Sequence, residues 1–102
     1  MEPVQQRLKK ANEARLAPRI NMRSLAEGVY RIRDLKKGFT IFGERVLALL
    51  DTNQWIYLGE EYTHLFTYEE IMQIRDGEFP LYLQYKGMDG KKYNYDVYSN
   101  PN

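Results

Sequence analysis

Cysteine is absent from the 102 residues of this chain, which has only one histidine and one tryptophan. Without cysteine, a disulfide framework, a thiol nucleophile and a thiolate metal site are excluded. The sequence also lacks an apolar run near the roughly 20 residues that a membrane span needs, and its N-terminus lacks the apolar region of a signal peptide. We therefore expect a soluble intracellular protein, cytoplasmic or nuclear, with no membrane partner.

Motifs for catalysis and for cofactor binding are missing as well. The sequence contains no nucleophile elbow, no phosphate-cradling glycine loop and no set of residues for a catalytic triad. His64 lies near Glu60 and Glu61, but one histidine and two adjacent carboxylates in a loop are poor ligand geometry for zinc. These absences predict a protein that is not an enzyme and that has no catalytic residue, no metal site and no cofactor.

The composition is that of a globular domain with many aromatic residues and an uneven distribution of charge. Hydrophobic residues make up 43% of the chain and aromatic residues 14%, which predicts one domain with a modest core. Residues 1–23 contain six basic and two acidic residues, whereas residues 24–102 contain nine basic and twelve acidic residues. We therefore predict a basic N-terminal helix or arm over residues 1–23, followed by a β domain over residues 24–102.

Hydrophobic periodicity predicts two helices and five strands, so the fold class is mainly β with a smaller helical part. The helices are predicted over residues 3–16 and 68–76, and the strands over residues 29–35, 44–51, 54–58, 81–86 and 91–98. The first three strands follow one another too closely for parallel crossovers, which predicts an antiparallel meander. Thr67 and Glu70 have the spacing of a capping box at the start of the second helix.

The connection between the first two strands, residues 36–43, combines basic, aromatic and glycine residues. Lys36, Lys37 and Gly38 are predicted to end the first strand, and Gly38 and Gly43 flank a Phe-Thr-Ile-Phe segment. A glycine at either position permits a bulge, a bend or the close approach of a ligand to the backbone. This connection is therefore a candidate for contact with a partner.

The element order strand, strand, strand, helix, strand, strand, which covers residues 28–98, is that of the OB-fold, a five-stranded Greek-key barrel. Three segments also give the chain a resemblance to small OB-like single-stranded-DNA-binding proteins of viral or mobile-element type. They are Thr40-Ile41-Phe42-Gly43, Trp55-Ile56-Tyr57-Leu58 and Leu81-Tyr82-Leu83-Gln84-Tyr85-Lys86-Gly87. The resemblance implies a small OB-like barrel with one helix between its third and fourth strands, preceded by the N-terminal helix.

In a fold of this type, the second and third strands form the ligand face together with the first-second and fourth-fifth loops. The residues there that suit a single strand are Lys36, Lys37, Phe39, Phe42, Arg45, Trp55, Tyr57, Lys91 and Lys92. Trp55 and Phe39 are predicted as platforms on which bases stack. The predicted phosphate contacts are Lys36, Lys37, Arg45 and Lys92. The implied function is largely sequence-independent binding of single-stranded nucleic acid. The resemblance favours DNA as the partner, and the residues themselves leave DNA and RNA both open.

The same residues have other interpretations, which stay open. Trp55 and Tyr57 are also typical core residues of a small domain, and a phenylalanine of the first connection then closes the end of the barrel. Lysines beside turns are also typical of ordinary turn charges or of edge strands protected against aggregation. The alternative function is a protein-interaction or self-assembly module, in which the N-terminal helix or the barrel binds a partner or a second copy.

Overall fold

The computed structural model of the chain describes residues 3–99, without the side chains of residues 10, 14 and 15. Residues 1, 2 and 100–102, at the outer ends of the predicted arm and β domain, lie outside the described residues. The helices are α1 (Val4–Leu16) and α2 (Tyr68–Arg75), and the strands are β1 (Gly28–Thr40), β2 (Gly43–Leu50), β3 (Trp55–Tyr57), β4 (Leu81–Asp89) and β5 (Lys92–Ser99). Single 3-10 turns lie at Met22–Ser24 and Glu60–Tyr62.

The five strands form one antiparallel sheet in the order β3-β2-β1-β4-β5. The predicted mainly β fold, the meander of the first three strands, the N-terminal helix and the helix between β3 and β4 are therefore confirmed. Within residues 3–99 no ladder joins β3 to β5, so the sheet is open and is not closed into a barrel. The short β3 instead pairs on its outer side with residues that follow α1.

The main hydrophobic core lies on one face of this sheet. The completely buried side chains from β1, β2, β3 and β4 are Ile32, Leu35, Ala48, Leu50, Ile56 and Leu83. Burial of a leucine or isoleucine side chain contributes about 1.5–3 kcal/mol. The four strands are therefore held together mainly by this one apolar layer.

The predicted end of the first strand, at residue 35, is wrong. β1 continues to Thr40 and pairs with β2 as far as the turn of the hairpin. Gly38 does not interrupt the pairing, because its missing side chain leaves space for Leu47. A Cβ atom on Gly38 would lie only 2.8 Å from Cδ1 of Leu47. It is therefore the side chain of Leu47, not a ligand, that approaches the backbone of Gly38 closely.

Helix α2 begins with the capping box that its sequence predicts. The N–H of Glu70 donates to Oγ1 of Thr67 at 3.1 Å, and the N–H of Thr67 donates to Oε1 of Glu70 at 2.8 Å. These bonds satisfy amides that a helix N-terminus otherwise leaves without partners. Ile74, which is 2% exposed, packs the helix against the main core.

The segment after α1 packs on the sheet and forms a short parallel pairing with the edge of β3. The N–H of Trp55 donates to the carbonyl of Pro18, and the N–H of Ile20 donates to the carbonyl of Trp55, both at 2.9 Å. Met22 then enters the main core. In contrast, Leu8 of α1 is 59% exposed, so the helix itself buries little apolar surface.

Candidate nucleic-acid interface

The ladder register places several predicted site residues on the face of the sheet opposite the main core. Lys36 lies opposite Leu47, Leu47 lies opposite Tyr57, and Leu49 lies opposite Trp55. Partners in a ladder share a face of the sheet, because successive side chains of a strand point to alternate faces. We call this second face the outer face. Trp55 and Tyr57 lie on it together, as predicted.

The structure corrects the prediction that Trp55 is exposed for stacking. Trp55 is 3% exposed and packs with Leu47 and Leu49 in a second hydrophobic cluster, to which Ala17 also belongs. The ammonium group of Lys36 lies 4.2 Å from the ring centroid, a cation–π contact that covers the ring. Trp55 is therefore a core residue of the outer face, because the N-terminal segment pairs with β3 and packs over it.

Five of the predicted residues meet around one open cavity of about 570 Å³. They are Phe42 and Arg45 from the β1–β2 hairpin, Tyr57 from β3, and Lys91 and Lys92 from the β4–β5 turn. The two turns are distant in the chain, and the sheet brings them to the same end of the molecule. We call this cavity, with these five residues, the tip cleft.

The turn of the β1–β2 hairpin holds large apolar side chains in solvent. Phe39 is 80% exposed, Ile41 94% and Phe42 78%. Oγ1 of Thr40 accepts from the N–H of Phe42 at 3.0 Å and donates to the carbonyl of Gly43 at 2.9 Å. Gly43 has a φ of 107°, a conformation that glycine adopts without steric cost. The turn therefore has a defined backbone, although its side chains are exposed.

The cations of the tip cleft carry charge that no neighbouring carboxylate neutralises. Within residues 3–99, no carboxylate lies at ion-pair distance from Lys91, Lys92 or Arg45. Nη1 of Arg45 donates instead to the carbonyl of Glu44 at 2.7 Å. Glu61 is the one acidic residue among the described residues that line the cleft. Three cations beside one carboxylate favour an anionic partner.

The remaining predicted residues lie elsewhere. Phe39 lies beside the tip cleft but does not line it, and Lys37 pairs with Glu44, with Nζ and Oε1 3.6 Å apart. Lys36 and Trp55 line a different cavity on the outer face. Of the nine predicted residues, five therefore line the tip cleft, Lys36 and Trp55 line the second cavity, and Lys37 and Phe39 line neither.

Some residues of the tip cleft are not in the predicted set. Ile41 and Tyr95 line it, and Nη1 of Arg19 donates to Oη of Tyr57 at 3.2 Å. Alternation in the last strand places Tyr93 and Tyr95 on one face, but this pattern is equally typical of tyrosines that only fill a sheet. Arg19 has no local sequence signal, because a long-range contact brings it to Tyr57.

Tyr95 forms a fixed wall of the cleft. Its Oη accepts from the N–H of Gly59 at 2.8 Å, and its ring centroid lies 6.0 Å from that of Tyr62. Burial raises the pKa of Tyr95 to about 12; the Gly59 N–H opposes the shift, and the charge of Glu61 adds to it. The phenol is therefore neutral at physiological pH and acts as a hydrogen-bonding anchor.

Among residues 3–99, no group of three or more acidic or histidine side chains is placed to hold a metal ion, and His64 is exposed. Neither described helix has the length and apolar content to cross a membrane.

No protein-family model, curated protein or solved structure matches this chain. The position, exposure and charge of the side chains at the tip cleft are therefore the basis for assigning a function.

Proposed function

We propose that this protein binds single-stranded nucleic acid at the tip cleft, and that DNA is preferred because of the resemblance described above. The observation that carries the proposal is that Arg45, Lys91 and Lys92 meet beside the exposed ring of Phe42. Sequence-independent binding of a single strand needs two components, cations in a groove and an exposed aromatic ring.

Phe42 supplies the stacking surface in this proposal. Its ring is 78% exposed and lies at a turn whose backbone is held by Thr40. Stacking of a base on an aromatic side chain contributes about 1–3 kcal/mol, and every base has a π face to offer. Phe39, which is 80% exposed on the same turn, offers a second ring. Binding of this kind is largely independent of sequence.

Arg45, Lys91 and Lys92 supply the phosphate contacts. Each phosphate neutralised on a single strand contributes about −0.7 to the slope of log affinity against log salt concentration, so three contacts predict a slope of about −2. This slope is moderate, and we expect binding to be clear at low salt and much weaker at high salt.

A single strand suits this surface better than a duplex does. The faces of duplex bases are stacked on one another, whereas those of an unpaired strand can separate and stack on protein rings. Ile41 and Phe42 project from a two-residue turn, which gives them access to separated bases. We therefore expect a duplex of equal length to bind more weakly.

The test is a fluorescence-anisotropy titration of a labelled single strand of about 20 nucleotides, a length that spans more than one typical site. We expect saturable binding at low salt and weaker binding by Lys92→Gln. Lys9→Gln is the matched control, because Lys9 is exposed on α1 and does not line the cleft. Absence of saturable binding at low salt, or an equal loss in both variants, would contradict the proposal.

A second candidate function is contact with a protein or with another copy of the chain. It is favoured by the exposed side chains of Phe39, Ile41 and Phe42, because contiguous exposed apolar patches mark interaction sites. An apolar interface of this kind would depend little on salt. Light scattering without nucleic acid would then show a mass above that of one chain, and Phe42→Ala would lower it.

A further inference from the structure

A second and larger cavity lies between α1, the end of α2 and the outer face of β1 and β2. Its volume is about 970 Å³, near the upper end of the range of about 300–1,000 Å³ that is usual for ligand sites. Arg7 from α1, Arg31 from β1, Leu49 from β2 and Asp76 after α2 lie on its walls. We call it the arm-side groove. It shares no described lining residue with the tip cleft.

The arm-side groove has an excess of positive charge. Its basic residues are Arg7, Arg31, Arg33, Lys36 and Arg75, and its acidic residues are Asp34, Asp51 and Asp76. Arg75 and Asp34 neutralise each other, with Nε and Oδ1 2.9 Å apart. Four cations then remain beside the carboxylates of Asp51 and Asp76. The remaining charge favours an anion of low charge.

Two of these cations are positioned by aromatic rings. Cζ of Arg31 lies 5.4 Å from the ring centroid of Tyr82, which is itself stacked on Tyr98 with centroids 5.6 Å apart. Nζ of Lys36 lies 4.2 Å from the ring centroid of Trp55. A cation–π contact orients a cation without neutralising it. The charges of Arg31 and Lys36 therefore remain available to a ligand.

Two arginines of β1 lie on the same side of the groove. Alternation along the strand places Arg31 and Arg33 on one face of the sheet, and both line the groove. The register of β1 against β2 shifts between Ile32 and Asp34, and such a bulge changes the direction of side chains. The consecutive residues Arg33 and Asp34 therefore line the same cavity. Within residues 3–99, Arg33 has no ion-pair partner.

We propose that the arm-side groove binds one nucleotide, with its phosphate on the guanidinium groups of Arg31 and Arg33. Guanidinium groups match the geometry of phosphate oxygens and form strong charge-assisted hydrogen bonds with them. The half-buried side chain of Met72 lines the same cavity as the buried Leu49, and Met72 provides an apolar surface for the base. A free mononucleotide and one nucleotide of a bound strand offer the same chemistry. This site is separate from the tip cleft and does not depend on it.

Trp55 makes the proposal directly testable. It is the one tryptophan of the chain, and it lines the arm-side groove but is not among the residues that line the tip cleft. The full chain is titrated with thymidine 5′-monophosphate, and Trp55 emission is excited at wavelengths that tyrosine does not absorb. A saturable change in emission is expected.

The variants identify the phosphate contacts. Arg33→Gln should bind the mononucleotide about tenfold more weakly, because one charge-assisted contact contributes about this factor. Arg31→Gln is the second variant and should show a similar loss. Arg23→Gln is the matched control, because Arg23 is exposed and lines neither cavity. Thermal unfolding of each variant establishes that it is folded.

Each outcome of the titration supports or overturns the site. A response to the mononucleotide assigns the groove to free nucleotides, and a response only to a single-stranded oligonucleotide assigns it to a nucleotide of a strand. Unchanged Trp55 emission with both ligands overturns the proposal, as does an equal loss in Arg33→Gln and Arg23→Gln. The same response to inorganic phosphate also overturns it, since the base then adds nothing. Lys92→Gln should weaken strand binding at the tip cleft but leave the mononucleotide response unchanged. Failure of one proposal can therefore be distinguished from failure of the other.

Discussion

The base and the tip of the β1–β2 hairpin consist of the same two strands, but they differ sharply in how much apolar surface they bury. Leu35 and Leu50, at the base, are 0% exposed, whereas Phe39, Ile41 and Phe42, at the tip, are at least 78% exposed. Burial is the main source of folding free energy, so the base supports the fold and the tip contributes little to it. Large apolar side chains that a fold leaves in solvent are available to a partner.

The largest effect on stability is expected at the base. Leu35→Ala removes a completely buried side chain from the main core and should lower the free energy of unfolding by about 2–5 kcal/mol. Urea denaturation followed by circular dichroism measures this change. Val29→Ala, on the same strand but 56% exposed, is the control and should change stability by less than about 0.5 kcal/mol. Equal losses in the two variants would contradict the premise that burial decides how much a side chain stabilises the fold.

At the tip we expect the opposite result, a loss of binding without a loss of stability. Phe42→Ala removes the proposed stacking ring and should weaken single-strand binding by about 1–3 kcal/mol. Anisotropy and urea denaturation on the same samples separate the two quantities. Tyr68→Ala removes a ring that is 76% exposed on α2, away from the cleft, and should leave binding unchanged. If Phe42→Ala also destabilised the fold, the tip would be a structural element.

Gly38 tests where the base ends and the tip begins. In Gly38→Ala, the new Cβ would lie 2.8 Å from Cδ1 of Leu47, a side chain that is 1% exposed and has little room to move. Such crowding should lower the free energy of unfolding by about 1 kcal/mol, less than Leu35→Ala does. Urea denaturation measures the change, and Gly43 is left intact so that the turn is the same. Unchanged or increased stability would place Gly38 in the loosely packed tip.

The smallest effect concerns Tyr95, which lines the tip cleft, and it depends on pH. Its pKa is raised from 10.0 to about 12, so between these pH values the folded protein keeps a proton that the unfolded chain has lost. The contribution of Tyr95 to stability is therefore complete below about pH 10 and is lost as the pH rises to about 12. Tyr95→Phe also removes the acceptor of the Gly59 N–H, which should cost about 1 kcal/mol at neutral pH.

The measurement for Tyr95 is a pair of urea denaturation series, wild type and Tyr95→Phe, at about pH 8 and about pH 11. All other side chains are the same in both proteins, so the difference between the two series isolates Tyr95. The stability advantage of the wild type should shrink at the higher pH. An advantage that stays constant or grows would show that the phenol is not preferentially protonated in the folded state.

Features that depend on near neighbours in the chain were predictable from the sequence. Alternating or continuous runs of apolar residues identified all five strands, and the capping box of Thr67 and Glu70 identified the start of α2. Candidate residues of the tip cleft were recognisable because basic and aromatic residues occur together in both turns.

Features that depend on distant contacts were not predictable. Glycine is intrinsically unfavourable in strands, so the sequence predicts a break at Gly38. Only the position of Gly38 beside Leu47 explains why β1 continues. The pattern of the third strand left Trp55 open as a stacking platform or a core residue, and only its pairing with Pro18 and Ile20 places it in the interior. The arm-side groove draws its residues from both helices and from three strands, so no local pattern indicates it.

The pairing of Pro18 and Ile20 with Trp55 has a consequence for strand pairing between molecules. Unpaired backbone groups on an edge strand are a template for the addition of another chain. The chain itself occupies this edge at β3 with two main-chain hydrogen bonds, whereas β5 is bordered by exposed Lys92, Asn94 and Asp96. In a fragment that begins at residue 24, the edge of β3 would be unpaired, and Trp55 and its apolar neighbours would be uncovered. We expect such a fragment to associate through the addition of strands from other copies at this edge.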